Sequence, residues 1–323
     1  MNERPSELAR GVRAGDRRSL ARAITLLESR RADDEKRALE LLHELLPFHR
    51  RGLRIGVSGP PGVGKSSLLE SLGMHLIGLG RRPFVLVVDP SSQRAGGSIL
   101  GDKTRMTRLA RAPEAYVRPS PSGDVGGGIS RSAGDVLFAC ETAGFGPSLV
   151  ETVGVGQAEM AVMQVVDVLL LLLEPGAGDE LTGIKRGLNE WADVVAVNKA
   201  DGERAEAARR TSAEFDAAFR LLRGHDAPNV LPVSAREGAG VAELWRAIEE
   251  RHAALEASGA LEERRRQQRK AELRDRLSQA LMREFARDPA RRQALADAER
   301  DVMAGSDLAR AVVQRLLAGE RPD

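Results

Sequence analysis

Between residues 53 and 233, short β-rich segments alternate with stretches whose apolar residues recur at helical spacing. Six segments have this β-rich character: residues 53–58, 84–89, 147–151, 167–173, 193–198 and 229–234. Residues 168–173 and 194–197 are entirely apolar, which is typical of central strands that are buried on both faces. The alternation predicts an α/β fold with a mostly parallel central sheet that is covered by helices on both faces.

Helical patterns flank this region on both sides. Residues 1–50 predict two amphipathic helices, whose apolar faces are Leu20, Ile24 and Leu27 and then Leu39, Leu42 and Leu46. After a break at Gly259, a charged segment carries one apolar stripe, which consists of Leu273, Leu277, Leu281 and Phe285. Such a stripe suits a surface helix and a helix that packs on another helix equally well. We predict an N-terminal helical extension (1–50), a central domain (51–257) and a C-terminal helical arm (258–323) that is a candidate dimerisation region.

Composition excludes several classes of protein. The chain has 49 Lys and Arg against 47 Asp and Glu, so its net charge of +2 produces no overall field that would attract nucleic acid. The single Cys140 cannot form an internal disulfide, which fits a reducing compartment. The longest apolar run, 165–173, is interrupted by Asp167 and is shorter than the roughly 20 residues of a membrane helix. We expect a cytoplasmic protein without nucleic-acid or membrane partners.

The sequence GPPGVGKS at residues 59–66 lies between the first predicted strand and a helix-like segment. It fits the pattern G-x-x-x-x-G-K-[ST], in which glycines let successive backbone N–H groups point at phosphate oxygens. We expect Lys65 to neutralise the β- and γ-phosphates of a nucleoside triphosphate and the Ser66 hydroxyl to bind Mg²⁺. The predicted contacts of this phosphate loop are Gly59, Pro60, Pro61, Gly62, Val63, Gly64, Lys65, Ser66 and Ser67.

The tetrapeptide NKAD at residues 198–201 follows the predicted strand 193–197 and fits the pattern N-K-x-D. A carboxylate such as that of Asp201 can accept hydrogen bonds from N1–H and the 2-amino group of guanine, whereas adenine lacks this donor pair. We therefore predict GTP as substrate and GDP as product, bound through Asn198, Lys199 and Asp201. The segment after the last predicted strand is expected to contact the guanine carbonyl, through Ser234, Ala235 and Arg236.

Acidic residues near other strand ends are candidate Mg²⁺ ligands. Glu151 ends the predicted strand 147–151 and can hold Mg²⁺ directly or through water, while the N–H of Gly154 can reach the γ-phosphate. Asp89 and Asp102 are further candidate ligands, although either side chain could cap a helix instead. Val155 occupies the position where a glutamine commonly orients the attacking water, so we expect slow intrinsic hydrolysis.

Longer stretches of the chain resemble the MeaB/ArgK/MMAA family of P-loop GTPases, which are chaperones of adenosylcobalamin-dependent acyl-CoA mutases. The resemblance spans nearly the whole chain. It is carried by GPPGVGKSS (59–67), VDPSS (88–92), GGSILGDKTRM (96–106), VETVGVGQ (150–157), GDELTGIKRG (178–187) and NKADG (198–202).

The resemblance implies a GTPase that binds such a mutase, most often methylmalonyl-CoA mutase. It would gate cofactor loading from an adenosyltransferase and protect or reactivate the mutase, without itself holding cobalamin tightly. Asp102 and Glu151 fall on the magnesium-associated acids of the family, and Lys185 falls on a basic residue of its third switch. With Lys65, these three residues form the expected catalytic set. Members are commonly homodimers through helical extensions.

Two other functions share these motifs. A P-loop kinase or phosphotransferase would use the same phosphate loop, but N-K-x-D favours guanine and no residue stands out as a general base beside a substrate hydroxyl. A GTPase switch for another client, including a nickel-insertion protein, would share the GTP site. The sequence has neither a His-rich tract nor a Cys-His cluster that would carry nickel.

Overall fold

The computed structural model describes residues 4–29, 31–89, 106–121, 132–152, 162–176 and 191–318. The strands are β1 (Arg54–Ser58), β2 (Phe84–Asp89), β3 (Tyr116–Pro121), β4 (Ser148–Glu151), β5 (Val168–Leu173), β6 (Val194–Val197) and β7 (Asn229–Pro232). The α-helices are α1 (Pro5–Arg13), α2 (Arg17–Leu27), α3 (Ala32–Leu45), α4 (Lys65–Gly78), α5 (Thr107–Arg111), α6 (Ala133–Thr142), α7 (Ala205–Arg223), α8 (Val241–Ala257), α9 (Ala260–Phe285), α10 (Pro289–Ala304) and α11 (Ala309–Ala318).

The seven strands form one sheet with the order β3-β2-β4-β1-β5-β6-β7, and all paired neighbours are parallel. The predicted α/β fold with a parallel central sheet is confirmed. Strand β1 lies between β4 and β5, where Ile55 pairs with Leu149 on one side and Val168 on the other. Because all strands run in the same direction, their carboxyl ends lie at one edge of the sheet, where ligands bind in open α/β folds.

Alternate residues of the strands pack into two apolar clusters, one on each face of the sheet. On one face, Val57 of β1 and Leu170 of β5 belong to a buried cluster with Leu68 of α4 and Trp245 of α8. The other face is covered mainly by α1, α2, α3, α6 and α7. Burial on both sides explains why β5 and β6 read as continuous apolar runs in the sequence.

Strand β3 is not among the predicted strands. Pro119 and Pro121 lack the N–H that a strand donates, and their presence argues against a central strand. The structure places β3 at the end of the strand order, paired with β2. An edge position tolerates proline because one side of the strand makes no ladder, so the two prolines and the strand are compatible.

The N-terminal helices differ from the prediction in number and in orientation. The described part of residues 1–50 contains three α-helices rather than two. In α3 the buried residues are Leu41 and Leu45, whereas Leu39 and Leu46 are 55% and 59% exposed. The predicted apolar face was therefore wrong for Leu39 and Leu46, whereas Leu42 is partly buried and packs against the core.

The described residues form two compact units, which divide between Arg265 and Arg266. The first unit contains the sheet, and the second contains most of α9 with α10 and α11. Among the helices that the structure describes, none combines the length and apolar character that a membrane crossing requires.

Buried ion pairs line the edge of the sheet where the strands begin. Asp167, directly before β5, is fully buried and accepts hydrogen bonds from the guanidinium groups of Arg51 (3.2 Å) and Arg265 (3.0 Å) and from the backbone N–H of Arg54 (3.0 Å). Burial and the neighbouring Arg54 lower the pKa of Arg51 to about 10. Burial alone would raise the pKa of Asp167, but the hydrogen bond from Arg265 and the charge of Arg51 hold it below its ordinary value.

A second buried carboxylate occupies the corresponding position before β6. Asp193 accepts hydrogen bonds from Arg251 of α8 at 3.1 Å and from Arg264 of α9 at 2.8 Å, and its Oδ2 accepts the Leu169 N–H at 2.9 Å. These ion pairs fasten the end of α8 and the first turns of α9 to the amino-terminal edge of the sheet.

Replacing Asp167 with asparagine is expected to lower the free energy of unfolding at neutral pH by roughly 2 kcal/mol, because charged hydrogen bonds to Arg51 and Arg265 are lost. The folded pKa lies below the ordinary value of 3.8, so the stabilisation is complete above that pH and disappears as the pH falls through the folded pKa. Urea unfolding at pH 7 and pH 3 should show a difference between the proteins that shrinks in acid. The exposed Asp33→Asn is the control, and an equal difference at both pH values would contradict the assignment.

Candidate nucleotide-binding site

The loop between β1 and α4 approaches its neighbours too closely for side chains at two of its glycines. A Cβ atom at Gly59 (φ 152°) would lie 2.5 Å from the carbonyl oxygen of Leu172, and one at Gly64 (φ 96°) would lie 2.5 Å from Nδ2 of Asn198. Both φ values are positive, a conformation that glycine adopts without strain. The glycines therefore let the loop pack against β5 and Asn198 while leading directly into α4.

Lys65 is the first residue of α4 and is only 8% exposed. Its Nζ donates hydrogen bonds to the carbonyl oxygens of Gly59 (2.8 Å) and Pro60 (3.1 Å). The ammonium group thus lies against the backbone of the phosphate loop, beside the amino end of a 14-residue helix. A cation and the free N–H groups of a helix terminus together favour an anion such as phosphate.

A carboxylate from β4 reaches the start of the same helix. Ser66 Oγ donates a hydrogen bond to Oε1 of Glu151 at 2.8 Å, and Glu151 is 7% exposed at the end of β4. A hydroxyl and a carboxylate are hard oxygen ligands, and Mg²⁺ is commonly held by one or two such groups together with substrate phosphates. The donor chemistry of this pair therefore fits Mg²⁺.

Replacing Glu151 with glutamine is expected to raise the Mg²⁺ concentration for half-maximal GTP hydrolysis by about 10-fold, because a charged ligand or its water-mediated equivalent is lost. GTP binding measured in EDTA should change little, since the phosphate loop is untouched. The exposed Glu203→Gln provides a matched control. An unchanged Mg²⁺ requirement in Glu151→Gln would remove Glu151 from the metal site.

Asn198 connects the phosphate loop with the segment that follows β7. The side chain comes directly after β6, is 2% exposed, and donates from Nδ2 to the carbonyl oxygen of Val63 at 2.8 Å. Its Oδ1 accepts the N–H of Ala235 at 3.1 Å. Next to Ala235 in the sequence, Ser234 donates a hydrogen bond from Oγ to Oδ2 of Asp201 at 2.6 Å. The two predicted base-binding segments thus lie in contact, and one of them touches the phosphate loop.

Lys199 has a left-handed backbone conformation with φ 63°, which is uncommon for a residue other than glycine. Its ammonium group pairs with Oε1 of Glu174 at 2.8 Å. Glu174 follows β5 directly and is not among the predicted site residues. The signal that could have identified Glu174 is its position, since it comes directly after β5, the neighbour of the strand that leads into Asn198.

The remaining predicted site residues differ in burial, and some of them lie outside the part of the chain that the structure describes. Val63 is buried, whereas Pro60, Pro61, Gly62, Ser67 and Arg236 are exposed. Asp89 ends β2, and its side chain lies outside what the structure describes. Three further predictions, Asp102, Gly154 and Lys185, fall outside the described residues altogether.

Comparison with known proteins defines the class of this site. The family "Methylmalonyl Co-A mutase-associated GTPase MeaB" matches residues 20–290. A phosphate loop lies between β1 and α4, and the two segments predicted to bind the guanine base, 198–201 and 234–236, lie beside it. This is the arrangement of a P-loop GTPase. The chain is a GTPase, and it belongs to the MeaB family.

Individual relatives agree with this membership. A Mycobacterium bovis protein named as a GTPase is 47% identical over 313 residues, which cover 96% of this chain and 93% of that protein. The mouse methylmalonic aciduria type A homolog, which is named as mitochondrial, is 41% identical over 92% of this chain and 74% of its own. A solved structure titled LAO/AO transport system kinase covers 98% of both chains with 34% identity and a TM-score of 0.76.

Proposed function

We propose that this protein is a Mg²⁺-dependent GTPase that serves as a chaperone for an adenosylcobalamin-dependent acyl-CoA mutase, with methylmalonyl-CoA mutase as its client. The observation that carries the proposal is the family match over residues 20–290, because it extends beyond the nucleotide site into the helical regions on both sides. The matched family is named for methylmalonyl-CoA mutase, and the mouse relative is named for methylmalonic aciduria.

In this proposal the residues of the site divide the work on GTP. Lys65 and the N–H groups of the phosphate loop hold the β- and γ-phosphates, and Ser66 and Glu151 hold the metal. When bound, Mg²⁺ would neutralise charge on the phosphate oxygens and help to orient them. Asp201 would accept the guanine donors, and its bond from Ser234 fixes the carboxylate in advance. Asp89, Asp102, Gly154 and Lys185 keep the metal, phosphate and catalytic roles that the sequence predicts.

The chaperone would act in the cytoplasm and gate transfer of adenosylcobalamin from an adenosyltransferase to the mutase, without retaining the cofactor. It would also protect or reactivate the mutase. We further propose that it is a homodimer through residues 258–323. In support, three leucines of the α9 stripe, Leu273, Leu277 and Leu281, are 68%, 55% and 61% exposed, and a second copy would bury them.

A cofactor-transfer assay tests this function. Adenosyltransferase loaded with adenosylcobalamin would be mixed with apo-mutase and this protein, and the visible spectrum followed with GTP, with GDP or without nucleotide. The proposal predicts that transfer depends on the nucleotide and fails in Lys65→Ala, while the exposed Lys36→Ala behaves as the unmodified protein. A rate of cofactor transfer that is the same with GTP, with GDP and without this protein would overturn the proposal. Labelled γ-phosphate that appears on a protein or small-molecule acceptor would favour a phosphotransferase instead.

A further inference from the structure

A partly enclosed cavity of about 380 Å³ opens at the edge of the sheet where the strands begin. It lies between α8 and the segments that lead into β1, β2 and β4. The nucleotide site is at the other edge, and the five residues of β1 separate the two by roughly 17 Å. This volume is within the usual range for small-molecule sites, about 300–1,000 Å³.

One face of α8 supplies three side chains to the cavity. Trp245, Glu249 and His252 are spaced four and three residues apart, so they lie on the same side of the helix. The Trp245 ring is 4% exposed and forms an apolar wall. Nε2 of His252 is buried and has no hydrogen-bond partner among the described residues. The His252 ring thus contributes to the wall of the cavity beside Trp245, while its Nε2 is withdrawn from solvent.

Two opposite charges also line the cavity. Arg81 approaches from the segment before β2, and Glu249 from α8. Within the ranges that the structure describes, neither Arg81 nor Glu249 forms an ion pair. By contrast Arg251, two residues after Glu249 on α8, is paired with both Asp193 and Asp226. A purely anionic ligand would be opposed by Glu249, and a purely cationic one by Arg81. A ligand that carries both charges satisfies both side chains.

We propose that this cavity binds a small zwitterion with one carboxylate and one ammonium group, of which a free α-amino acid is the simplest class. The carboxylate pairs with Arg81, whose planar guanidinium suits two parallel hydrogen bonds. The ammonium group pairs with Glu249. The remaining apolar part of the ligand packs on the rings of Trp245 and His252.

Intrinsic fluorescence gives a direct test, because the chain has only two tryptophans. Trp191 is 46% exposed and does not line the cavity, so Trp191→Phe in the full chain makes Trp245 the sole reporter. The probes are L-alanine, L-leucine and L-phenylalanine, each beside its carboxamide and its N-acetyl derivative. We expect a saturable change with at least one amino acid, half-maximal below about 1 mM, and at least about 10-fold weaker binding of both blocked forms.

Matched variants distinguish a loss of ligand binding at the cavity from a general perturbation of α8. Arg81→Gln and Glu249→Gln should each weaken binding by about 10-fold or more, as expected when one partner of a charge pair is removed. Arg246→Gln and Glu250→Gln, which change exposed residues outside the cavity, should bind as before. GTP affinity, measured in every variant, should be unchanged and reports an intact fold. No saturable change with any amino acid, or equal binding of a blocked form, would overturn the proposal.

Discussion

Replacing Lys65 with alanine is expected to lower GTP affinity by about 1,000-fold, which corresponds to about 4 kcal/mol. The ammonium group is nearly buried and lies 2.8 Å from the carbonyl oxygen of Gly59, so it meets a phosphate without first being drawn from bulk water. Its removal leaves the phosphate charges opposite a loop that has lost its cation. Equilibrium titration with a fluorescent GTP analogue would measure the loss.

The fold should survive this change. Two hydrogen bonds of Lys65 go to carbonyl groups of its own loop, and the residue belongs to neither apolar cluster of the sheet. Thermal unfolding without nucleotide should therefore move by only a few degrees, since a loss of about 1 kcal/mol shifts the Tm of a chain this size by roughly 2–4 °C. Lys36→Ala is the matched control. GTP affinity that remained within about 10-fold of the unmodified protein would contradict the phosphate-loop assignment.

Replacing Asp201 with asparagine is expected to reduce GTP affinity by about 100- to 1,000-fold while ATP affinity changes little. One carboxylate oxygen becomes an NH₂ group that faces the donors of guanine, so two donors oppose each other. The hydrogen bond from Ser234 can persist, because the amide oxygen can still accept it. Xanthosine triphosphate carries an oxygen in place of the 2-amino group and should bind this variant better than GTP does.

Competition titrations with GTP, ATP and xanthosine triphosphate distinguish base recognition from a general loss of binding. Asp216→Asn, on α7, is the control because its carboxylate pairs with the exposed Arg220. Equal losses for GTP and ATP would place Asp201 outside the base site. A failure of xanthosine triphosphate to gain relative to GTP would argue against direct contact between this side chain and the base.

Much of the fold could be predicted from the sequence because burial on both faces leaves continuous apolar runs. Strands β5 and β6 could be predicted from such runs, and a parallel sheet is the arrangement in which strands are buried on both faces. Strand β3 could not be predicted in this way, since its prolines are tolerated only by its edge position. The buried face of α3 was predicted only in part, because the sequence alone does not show whether Leu41 or Leu39 packs on the core.

The chemistry of the candidate site could be predicted in part from motif order. The contact between Asn198 and Val63 joins residues 135 positions apart, and the Lys199–Glu174 pair depends on two neighbouring strand ends. Neither follows from a local pattern. The ion pairs at the amino-terminal edge of the sheet are even harder to predict. The sequence around Arg265 predicts an exposed, charged helix, but Arg265 pairs with Asp167, 98 residues away. Only the sheet topology brings these groups together.

The most direct test of the central proposal is the rate of GTP hydrolysis with and without purified adenosylcobalamin-dependent methylmalonyl-CoA mutase. ATP serves as the nucleotide control, and Lys65→Ala shows that turnover belongs to this site. The proposal predicts slow, GTP-selective turnover that rises as the mutase is added and then saturates. A rate of GTP hydrolysis that is the same with excess mutase as without it would contradict the proposed client. Equal rates for ATP and GTP would contradict the guanine site itself.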